Sequence, residues 1–286
     1  MFAQQRPDDR RRTTGGYRRC VQLLESTPAD VLQTPLVDMV GAVDGVQKVA
    51  LLGRAEAHRD LLLISVIAGC VKNEELVAPR EEMLAVVCSE LDAGVVRAKA
   101  PHLPILALPE TTPWGLAAAA DDWTDHTRRT LELRAIASAP VRTGQVLMVD
   151  GPLPHESDRK DAVGIVKEAL DTPWLTDPTH LPTDAGSRSP AFRIPASRTD
   201  ERSKVSALVR LHTAGAAQSW GHGLIRVEVY EDGAVTIDQA AALAVRHRGT
   251  PAYGDSRWLI QPRPLFECEQ VLKHFPLIVD ILAKSR

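Results

Sequence analysis

The sequence has few cysteines, and their placement excludes two common kinds of stabilising site. The 286 residues contain four cysteines, which lie far apart with no C-x-x-C pair: Cys20, Cys70, Cys88 and Cys268. Structural zinc sites use cysteines at short fixed spacings, and small secreted domains use many of them in disulfides. The sequence therefore predicts neither a zinc centre nor a disulfide framework.

Long hydrophobic runs and a nucleotide-binding motif are also missing. The longest apolar run, LLLISVIAGCV at residues 61–71, is too short to span a bilayer as a helix. The N-terminus carries arginines but lacks the apolar core of a signal peptide. No Walker motif is present, so any dependence on ATP would come from a partner. These absences lead us to expect a soluble, cytoplasmic protein.

The charge is nearly balanced, which leaves only local surfaces for contact with nucleic acid. The formal net charge is −3, so the chain as a whole has no basic character. One basic cluster, RPDDRRRTTGGYRR at residues 6–19, contains six arginines. Its low hydrophobicity predicts a flexible arm over residues 1–20, and a segment that contacts DNA or a partner is the alternative.

Hydrophobic patterning predicts an α/β protein with interspersed strands and helices. The predicted strands are 37–52, 60–72, 144–153, 204–212 and 223–232. The predicted helices are 78–100, 114–139 (as one long helix or two consecutive ones), 236–247 and about 264–284. Residues 161–170 fit either type of element. Residues 171–202 contain five prolines, which predicts a long loop. This order suits one domain over residues 21–286, with a mixed β-sheet flanked by helices.

Three Asp-Gly steps differ in what surrounds them. Asp232-Gly233 lies between alternating strand-like residues and predicts a hairpin turn. Asp150 ends an apolar strand, which is where catalytic side chains commonly lie on open α/β sheets. Asp44-Gly45 interrupts an apolar run and leaves two alternatives. It forms the turn of a hairpin, or its carboxylate points off the sheet to hold a metal.

Glu132 is another carboxylate in an apolar setting, within the predicted helix 114–139. A salt bridge to Arg128 or Arg129, one turn back, is the simpler explanation of its position. The alternative is that carboxylates from separate elements converge and offer hard oxygen ligands to Mg²⁺ or Mn²⁺. Such ions activate water and stabilise the leaving oxygen in phosphodiester hydrolysis.

Five blocks of sequence, in this order along the chain, resemble the NurA family of nucleases. They are GAVDGVQKVALL…LLLISVIAGCV, LELRAIASAPVRTGQVLMVDGPL, AVGIVKEALDTPWL, ALVRLH…GHGLIRVEVYE and RPLFECEQVLKHF, spread over roughly residues 37–284. The resemblance implies an RNase H-like fold, related to the PIWI domain of Argonautes. It further implies a homodimeric, Mn²⁺-dependent (or Mg²⁺-dependent) DNA nuclease of the 5′–3′ exonuclease and endonuclease type. Members of the family work with the hexameric DNA-translocating ATPase HerA, in DNA repair or antiphage defence.

The same resemblance implies which residues form the site. Asp44, Glu132 and Asp150 match the metal-binding positions of the family. Lys167, in the GIVK block, would neutralise a phosphate. In the closing helix, Glu269 stands where the family usually has a histidine, so we also expect it at the catalytic site.

Two residues of the fourth block and the departure at Glu269 leave alternatives open. Arg226 and Glu228 match a family block, and a cross-strand ion pair at the surface is the alternative for both. The change to Glu269 favours a second function, a catalytically inactive subunit that binds nucleic acid or docks a motor. A third alternative is a scaffold protein with hairpin Asp-Gly turns and no metal.

Overall fold

A computed structural model describes residues 22–54, 60–99, 101–109, 113–155, 158–167, 178–196, 201–213, 221–249 and 260–274. The chain divides into two compact units. The first unit comprises Met1–Val40 and Val141–Phe266, and the second comprises Gly41–Pro140 and Glu267–Arg286. The predicted arm at residues 1–20 and the end of the predicted closing helix, residues 275–284, lie outside the described residues.

Strands and helices alternate along the described residues. The strands are β1 (Gln22–Leu23), β2 (Ala29–Asp30), β3 (Asp38–Arg54), β4 (Asp60–Lys72), β5 (Glu75–Leu76), β6 (Glu81–Ser89), β7 (Ile105–Leu108), β8 (Gln145–Asp150), β9 (Ala162–Val166), β10 (Ser187–Arg188), β11 (Phe192–Ile194), β12 (Lys204–Arg210) and β13 (Leu224–Tyr230). The helices are α1 (Ala93–Lys99), α2 (Pro113–Ser138), α3 (Ile237–Arg246) and α4 (Arg263–His274). The expected α/β fold, with a mixed sheet flanked by helices, is confirmed.

The second unit is built around β4. Its strands have the order β3-β4-β6-β7, with β5 also paired to β4. The β3–β4 and β4–β6 pairs are antiparallel, whereas β6–β7 is parallel. Strand β4 is buried without interruption from Leu63 to Val71, as expected for a central strand covered on both faces. Helix α2 packs on β4 and β6.

The helix predicted at residues 78–100 is wrong over most of its length. Residues 81–89 form strand β6, and only α1 is helical. The helical spacing in the sequence coincided with a continuous apolar run, which a strand buried on both faces also requires. Pairing with β4, in which Leu62 lies opposite Val87, decided the outcome.

The first unit has the strand order β1-β11-β12-β13-β9-β8. Only β8–β9 is parallel among these pairs, and β10 additionally pairs with β12 and β2. The predicted loop at 171–202 is wrong for part of its length, since β10, β11 and a 3-10 turn at Pro178–His180 lie within it. These elements are two or three residues long, which is too short for a hydrophobic pattern to indicate a strand. The prolines between them favoured a loop.

Asp232-Gly233 forms a turn, but not the hairpin that the sequence predicted. The Gly233 N–H donates to the Tyr230 carbonyl at 3.0 Å, and the chain then enters α3 instead of a returning strand. Thr236 caps this helix in a capping box with Gln239. The alternating apolar and polar residues that follow the turn therefore lead into a helix and do not form a strand. The capping box stabilises this helix start because it satisfies free backbone amides of the first turn.

No helix of the described residues is both long enough and apolar enough to cross a membrane.

A buried arginine ties three segments of the first unit together. Arg188 is 3% exposed, and its guanidinium binds both carboxylate oxygens of Glu25, with the Nη2–Oε1 pair at 2.9 Å. It also binds Asp238 in the first turn of α3. The hydrogen bond from Arg188 is the main reason why the pKa of Glu25 lies below its ordinary value. The N-terminal segment, β10 and α3 are thus joined through one charge.

We expect Glu25→Gln to lower the free energy of unfolding at pH 7 by about 1 kcal/mol, because the Glu25 carboxylate is partly exposed and solvent screens the pair. The pKa of Glu25 is lower in the folded state, so this stabilisation is present above the ordinary carboxyl pKa, about 4.3, and is lost as the pH falls through the folded value. Urea unfolding at pH 7 and in acid measures the difference, with Asp60→Asn at the exposed Arg54 pair as control. A difference that persists undiminished in acid would contradict the prediction.

Candidate active site

Asp44 lies inside a continuous strand. Strand β3 pairs with β4 without a turn at this point, Asp44 opposite Gly69 and Gly45 opposite Ala68, so the hairpin alternative is wrong. The Asp44 side chain is buried, at 4% exposure, and its Oδ1 accepts a hydrogen bond from the Gly45 N–H at 2.7 Å. An ionised group in such a place is costly unless it is bonded.

Helix α4 covers the face of the sheet to which Asp44 belongs. Side chains opposite each other in a ladder share a face, and the partner of Asp44 is Gly69. A Cβ added at Gly69 would lie 3.0 Å from Leu272 Cδ2 of α4. The Cys268 thiol of the same helix contacts the Gly69 carbonyl at 3.6 Å.

Glu269 follows Cys268 on α4 and is mostly buried, with 15% of its side chain exposed. Its carboxylate pairs with Lys273, one turn further along the helix. Glu269 is therefore on the helix that covers the Asp44 face, and it is neutralised by a neighbouring lysine.

Glu132 approaches the same strand from the other side. Its Oε1 lies 2.6 Å from the point that a Cβ of Gly45 would occupy, and Arg128 Cγ lies 2.7 Å from it. Successive residues of a strand face opposite sides, so Glu132 reaches β3 on the face away from the Asp44 side chain. The expected salt bridge is present, with Arg128 Nη1 at 3.3 Å from Glu132 Oε1.

The two acidic side chains are close despite lying on different faces. Asp44 Oδ1 is 2.7 Å from Gly45 N, and Glu132 Oε1 is 2.6 Å from the glycine's missing Cβ. Standard bond lengths put that Cβ about 2.5 Å from Gly45 N, so the two carboxylate oxygens are at most about 8 Å apart. Any side chain at residue 45 would displace Glu132. The glycine is therefore the gap through which the second carboxylate reaches the strand.

In the first unit, Asp150 is the last residue of β8, as the sequence predicted. Lys167 Nζ donates to Asp150 Oδ2 at 2.8 Å, and both side chains are mostly buried. The parallel register explains the pair, because Asp150 lies opposite Ile165 and Lys167 follows Ile165 by two residues on the same face. Two residues that the resemblance assigned separately are thus in direct contact.

The alternative of a surface ion pair at Arg226 and Glu228 is wrong. Both residues lie on β13, two positions apart, with Arg226 Nη2 at 3.1 Å from Glu228 Oε1. Glu228 is buried, at 1% exposure. Its second partner is Lys204, whose Nζ lies 3.3 Å from Glu228 Oε2 and for which the sequence had predicted no role. The available signal was a lysine at the start of the apolar strand KVSALVRLH.

The described residues contain no group of three or more His, Cys, Asp or Glu side chains arranged to hold a metal ion. Glu132 and Asp150 each bind a basic side chain instead. The fit to a divalent ion therefore depends on Asp44 and Glu132, which approach Gly45 from opposite faces of β3. That Asp44, Glu132 and Asp150 together bind metal remains a prediction.

No family model matches the sequence, and no curated protein matches it. Among solved structures, the chain is similar to the crystal structure of the NurA nuclease from Sulfolobus solfataricus. The match covers 91% of this chain and 88% of that chain, with 13% sequence identity and a TM-score of 0.47. That protein bears the name of the family that the five sequence blocks resemble. At this identity and score, the likeness carries no conclusion about activity.

We expect Gly45→Ala to cost less stability than Gly41→Ala on the same strand. A Cβ at Gly41 would lie 2.8 Å from the Val71 carbonyl, and crowding against backbone costs about 1–3 kcal/mol. At Gly45 the obstacles are the side chains of Glu132 and Arg128, which can turn away. Urea unfolding of both variants measures the difference. An equal or larger loss for Gly45→Ala would show that the Glu132–Arg128 pair is rigidly held.

Proposed function

We propose that the protein is a metal-dependent DNA nuclease of the NurA type. The observation that carries the proposal is Asp44, a carboxylate with 4% exposure among the otherwise apolar residues 40–46 of β3. Beside it, Gly45 leaves the space through which a second carboxylate, Glu132, approaches. Burying a carboxylate within a sheet costs free energy of folding, and a divalent cation offsets that cost. The sequence resemblance supports the same function.

The residues have separate roles in this proposal. Asp44 and Glu132 supply hard oxygen ligands, which suit Mn²⁺ or Mg²⁺. Asp150 is proposed as a further ligand on the strength of the sequence resemblance. When bound, the ion supplies activation of water and stabilisation of the leaving oxygen in phosphodiester hydrolysis.

Lys167 gives the site a positive charge, which the proposed reaction needs. Its ammonium is already 2.8 Å from Asp150, so it can neutralise charge that develops on a phosphate next to that carboxylate. Arg128 supplies a second positive charge. It would have to release Glu132 before that carboxylate could bind a cation, and the Arg128 guanidinium would then be available to a phosphate.

The proposed partners are DNA, a second copy of this chain and a HerA-like hexameric ATPase. The sequence has no Walker motif, which supports a partner ATPase as the source of movement along DNA. The net charge of −3 supports weak unaided attraction to duplex DNA, with binding through local basic segments. A nuclease that acts with such a partner ATPase would serve DNA repair or antiphage defence.

The observed ion pairs favour a second candidate function, a non-catalytic subunit that binds DNA or docks a motor. Glu132, Asp150 and Glu269 are each neutralised by a basic side chain within the same unit. A protein that has lost its metal would gain stability from such pairing, since the carboxylates no longer repel each other.

We expect Asp44→Asn and Asp150→Asn each to lower cleavage of linear DNA in Mn²⁺ by at least about 100-fold, because each removes a charged ligand worth several kcal/mol in the transition state. Asp232→Asn is the matched control, since it removes an exposed aspartate that pairs with Lys160 at 2.8 Å. Cleavage is measured with and without EDTA, and thermal unfolding shows that each variant is folded.

Three outcomes of that experiment are informative. Loss of cleavage in both site variants but not in Asp232→Asn supports the nuclease. If cleavage persists in both the Asp44→Asn and the Asp150→Asn variants, these two residues are not ligands of the catalytic metal. DNA binding without any metal-dependent cleavage by the unaltered protein identifies the non-catalytic subunit.

Deletion of residues 1–20 should weaken binding of duplex DNA several-fold and reduce the salt dependence of that binding, because six arginines are removed. The folded domain should remain, since the segment is poor in apolar residues. Fluorescence anisotropy between 50 and 200 mM salt measures the binding. Light scattering of the full chain tests the dimer, and a monomer at micromolar concentration would exclude it.

A further inference from the structure

The buried pair of Glu228 and Lys204 binds the backbone of a single residue on both sides. Glu228 Oε2 accepts a hydrogen bond from the Leu153 N–H at 3.0 Å. Lys204 Nζ donates to the Leu153 carbonyl and also lies 3.3 Å from Glu228 Oε2. Glu228 and Lys204 are 1% and 3% exposed, respectively. We call this pair the Leu153 clamp.

Leu153 belongs to the segment that directly follows Asp150. Gly151 takes a left-handed conformation, with φ of +87°, and its N–H donates to the Ile165 carbonyl at 2.8 Å. Such a φ is unfavourable for any residue with a side chain, so the chain turns sharply at the end of β8. The direction of the Asp150 carboxylate therefore depends on where residues 151–154 run.

The segment then crosses closely over β9. A Cβ added at Gly164 would lie 3.0 Å from the Gly151 carbonyl oxygen and 3.0 Å from Leu153 Cγ. Beyond the clamp, the Tyr230 hydroxyl donates to the Pro154 carbonyl at 2.6 Å. Residues 151–154 are thus held to β9, β12 and β13 at four successive points.

The clamp lies on the opposite face of the sheet from the Asp150 side chain. Glu228 is paired with Gly164 in the ladder, whereas Asp150 is paired with Ile165, the next residue of β9. Adjacent strand residues face opposite sides, so Glu228 has no direct access to a ligand of Asp150. Any effect of the clamp on Asp150 must pass through the backbone of residues 151–153.

Stability alone is a poor reason for this arrangement. A buried ion pair is often replaced by well-packed apolar residues without loss of stability, because desolvation of the two charges offsets their attraction. What apolar residues cannot reproduce is the pair of directional hydrogen bonds to Leu153. The charges therefore serve to place a backbone segment, and the segment carries Asp150.

We propose that Glu228 and Lys204 are positioning residues of the active site, which hold the Asp150 carboxylate in its working direction through the backbone of Leu153. The assignment rests on the proposed nuclease function of Asp150. Neither residue contacts DNA or metal in this proposal.

The test uses the double variant Glu228→Leu with Lys204→Met in the full chain. It removes both charges and both hydrogen bonds to Leu153 while keeping apolar volume. It also removes the Glu228 partner of Arg226, and the single variant Arg226→Met controls for the loss of that pair. The matched control, Glu231→Leu with Arg193→Met, makes the same chemical change at an exposed pair of the same unit, whose Nη2–Oε2 distance is 2.8 Å. The measurements are kcat and KM on linear DNA, the Mn²⁺ concentration for half-maximal cleavage, thermal unfolding and hydrogen exchange of the Gly151 and Leu153 amides.

We expect the double variant to remain folded, with kcat about tenfold lower or more and KM for DNA unchanged. The Mn²⁺ concentration for half-maximal cleavage should rise several-fold, and the amides of Gly151 and Leu153, the two residues of the segment that are not proline, should exchange at least about tenfold faster. Amides in the middle of β12 and β13 should keep their protection. The control should match the unaltered protein in every measurement.

Unchanged kcat and unchanged Mn²⁺ dependence in the folded double variant would overturn the proposal, as would unchanged exchange of the Gly151 and Leu153 amides. If the double variant does not fold, Gly164→Ala gives the decision, because its Cβ would press on the Gly151 carbonyl and on Leu153, including the Leu153 N–H that Glu228 binds, while both charged side chains stay in place. The same loss of kcat with unchanged KM is then expected, and wild-type kinetics would overturn the proposal.

Failure of the proposed function is recognised separately. If the unaltered protein shows no Mn²⁺-dependent cleavage, the nuclease assignment fails, and with it the catalytic role of the clamp. Hydrogen exchange would still show whether Glu228 and Lys204 fix residues 151–154 in a protein without turnover.

Discussion

Charged side chains buried within the sheets are the constraint on which the rest of this structure depends. Transfer of an ionised group from water to the interior costs several kcal/mol, so each such group requires a partner of opposite charge or directional hydrogen bonds. Arg188 obtains them from Glu25 and Asp238, and Glu228 obtains them from Lys204 and the Leu153 amide. In both cases the partners come from segments far apart in sequence. The requirement to neutralise a buried charge is therefore also what joins those segments.

Glycines define where backbone and acidic groups approach the strands. At Gly45 the missing side chain makes room for Glu132, and at Gly164 it makes room for the segment that follows Asp150. At Gly69, next to Asp44 in the ladder, it makes room for Leu272 of α4. Within each unit, a candidate site carboxylate thus lies near positions where a Cβ would collide. This combination is costly for folding, and such sites commonly serve function rather than stability.

Much of the fold and part of the site were predictable from the sequence. The buried strand at 60–72 and the long helix near 114–139 have strong local patterns, and both were correct within a few residues. Asp150 was correctly placed at a strand end because an apolar run stops there. The helix predicted over 81–89 failed because a short apolar run has no period of its own, and pairing with β4 decided its conformation. The hairpin at Asp232 failed because the same alternating residues also encode a capped helix.

The sequence by itself determined where strands, helices and chemically capable side chains occur, because propensity and hydrophobic period act over a few neighbouring residues. It showed that Asp44 is an acidic residue in an apolar run and that Lys204 opens an apolar strand. Only the tertiary structure decided that Asp44 stays within a continuous strand and that Glu132 meets that strand on the opposite face. It alone paired Asp150 with Lys167 and placed Glu228 against Leu153, 75 positions away. The physical reason is that burial and ladder register set these contacts, and both depend on residues that are distant in the chain.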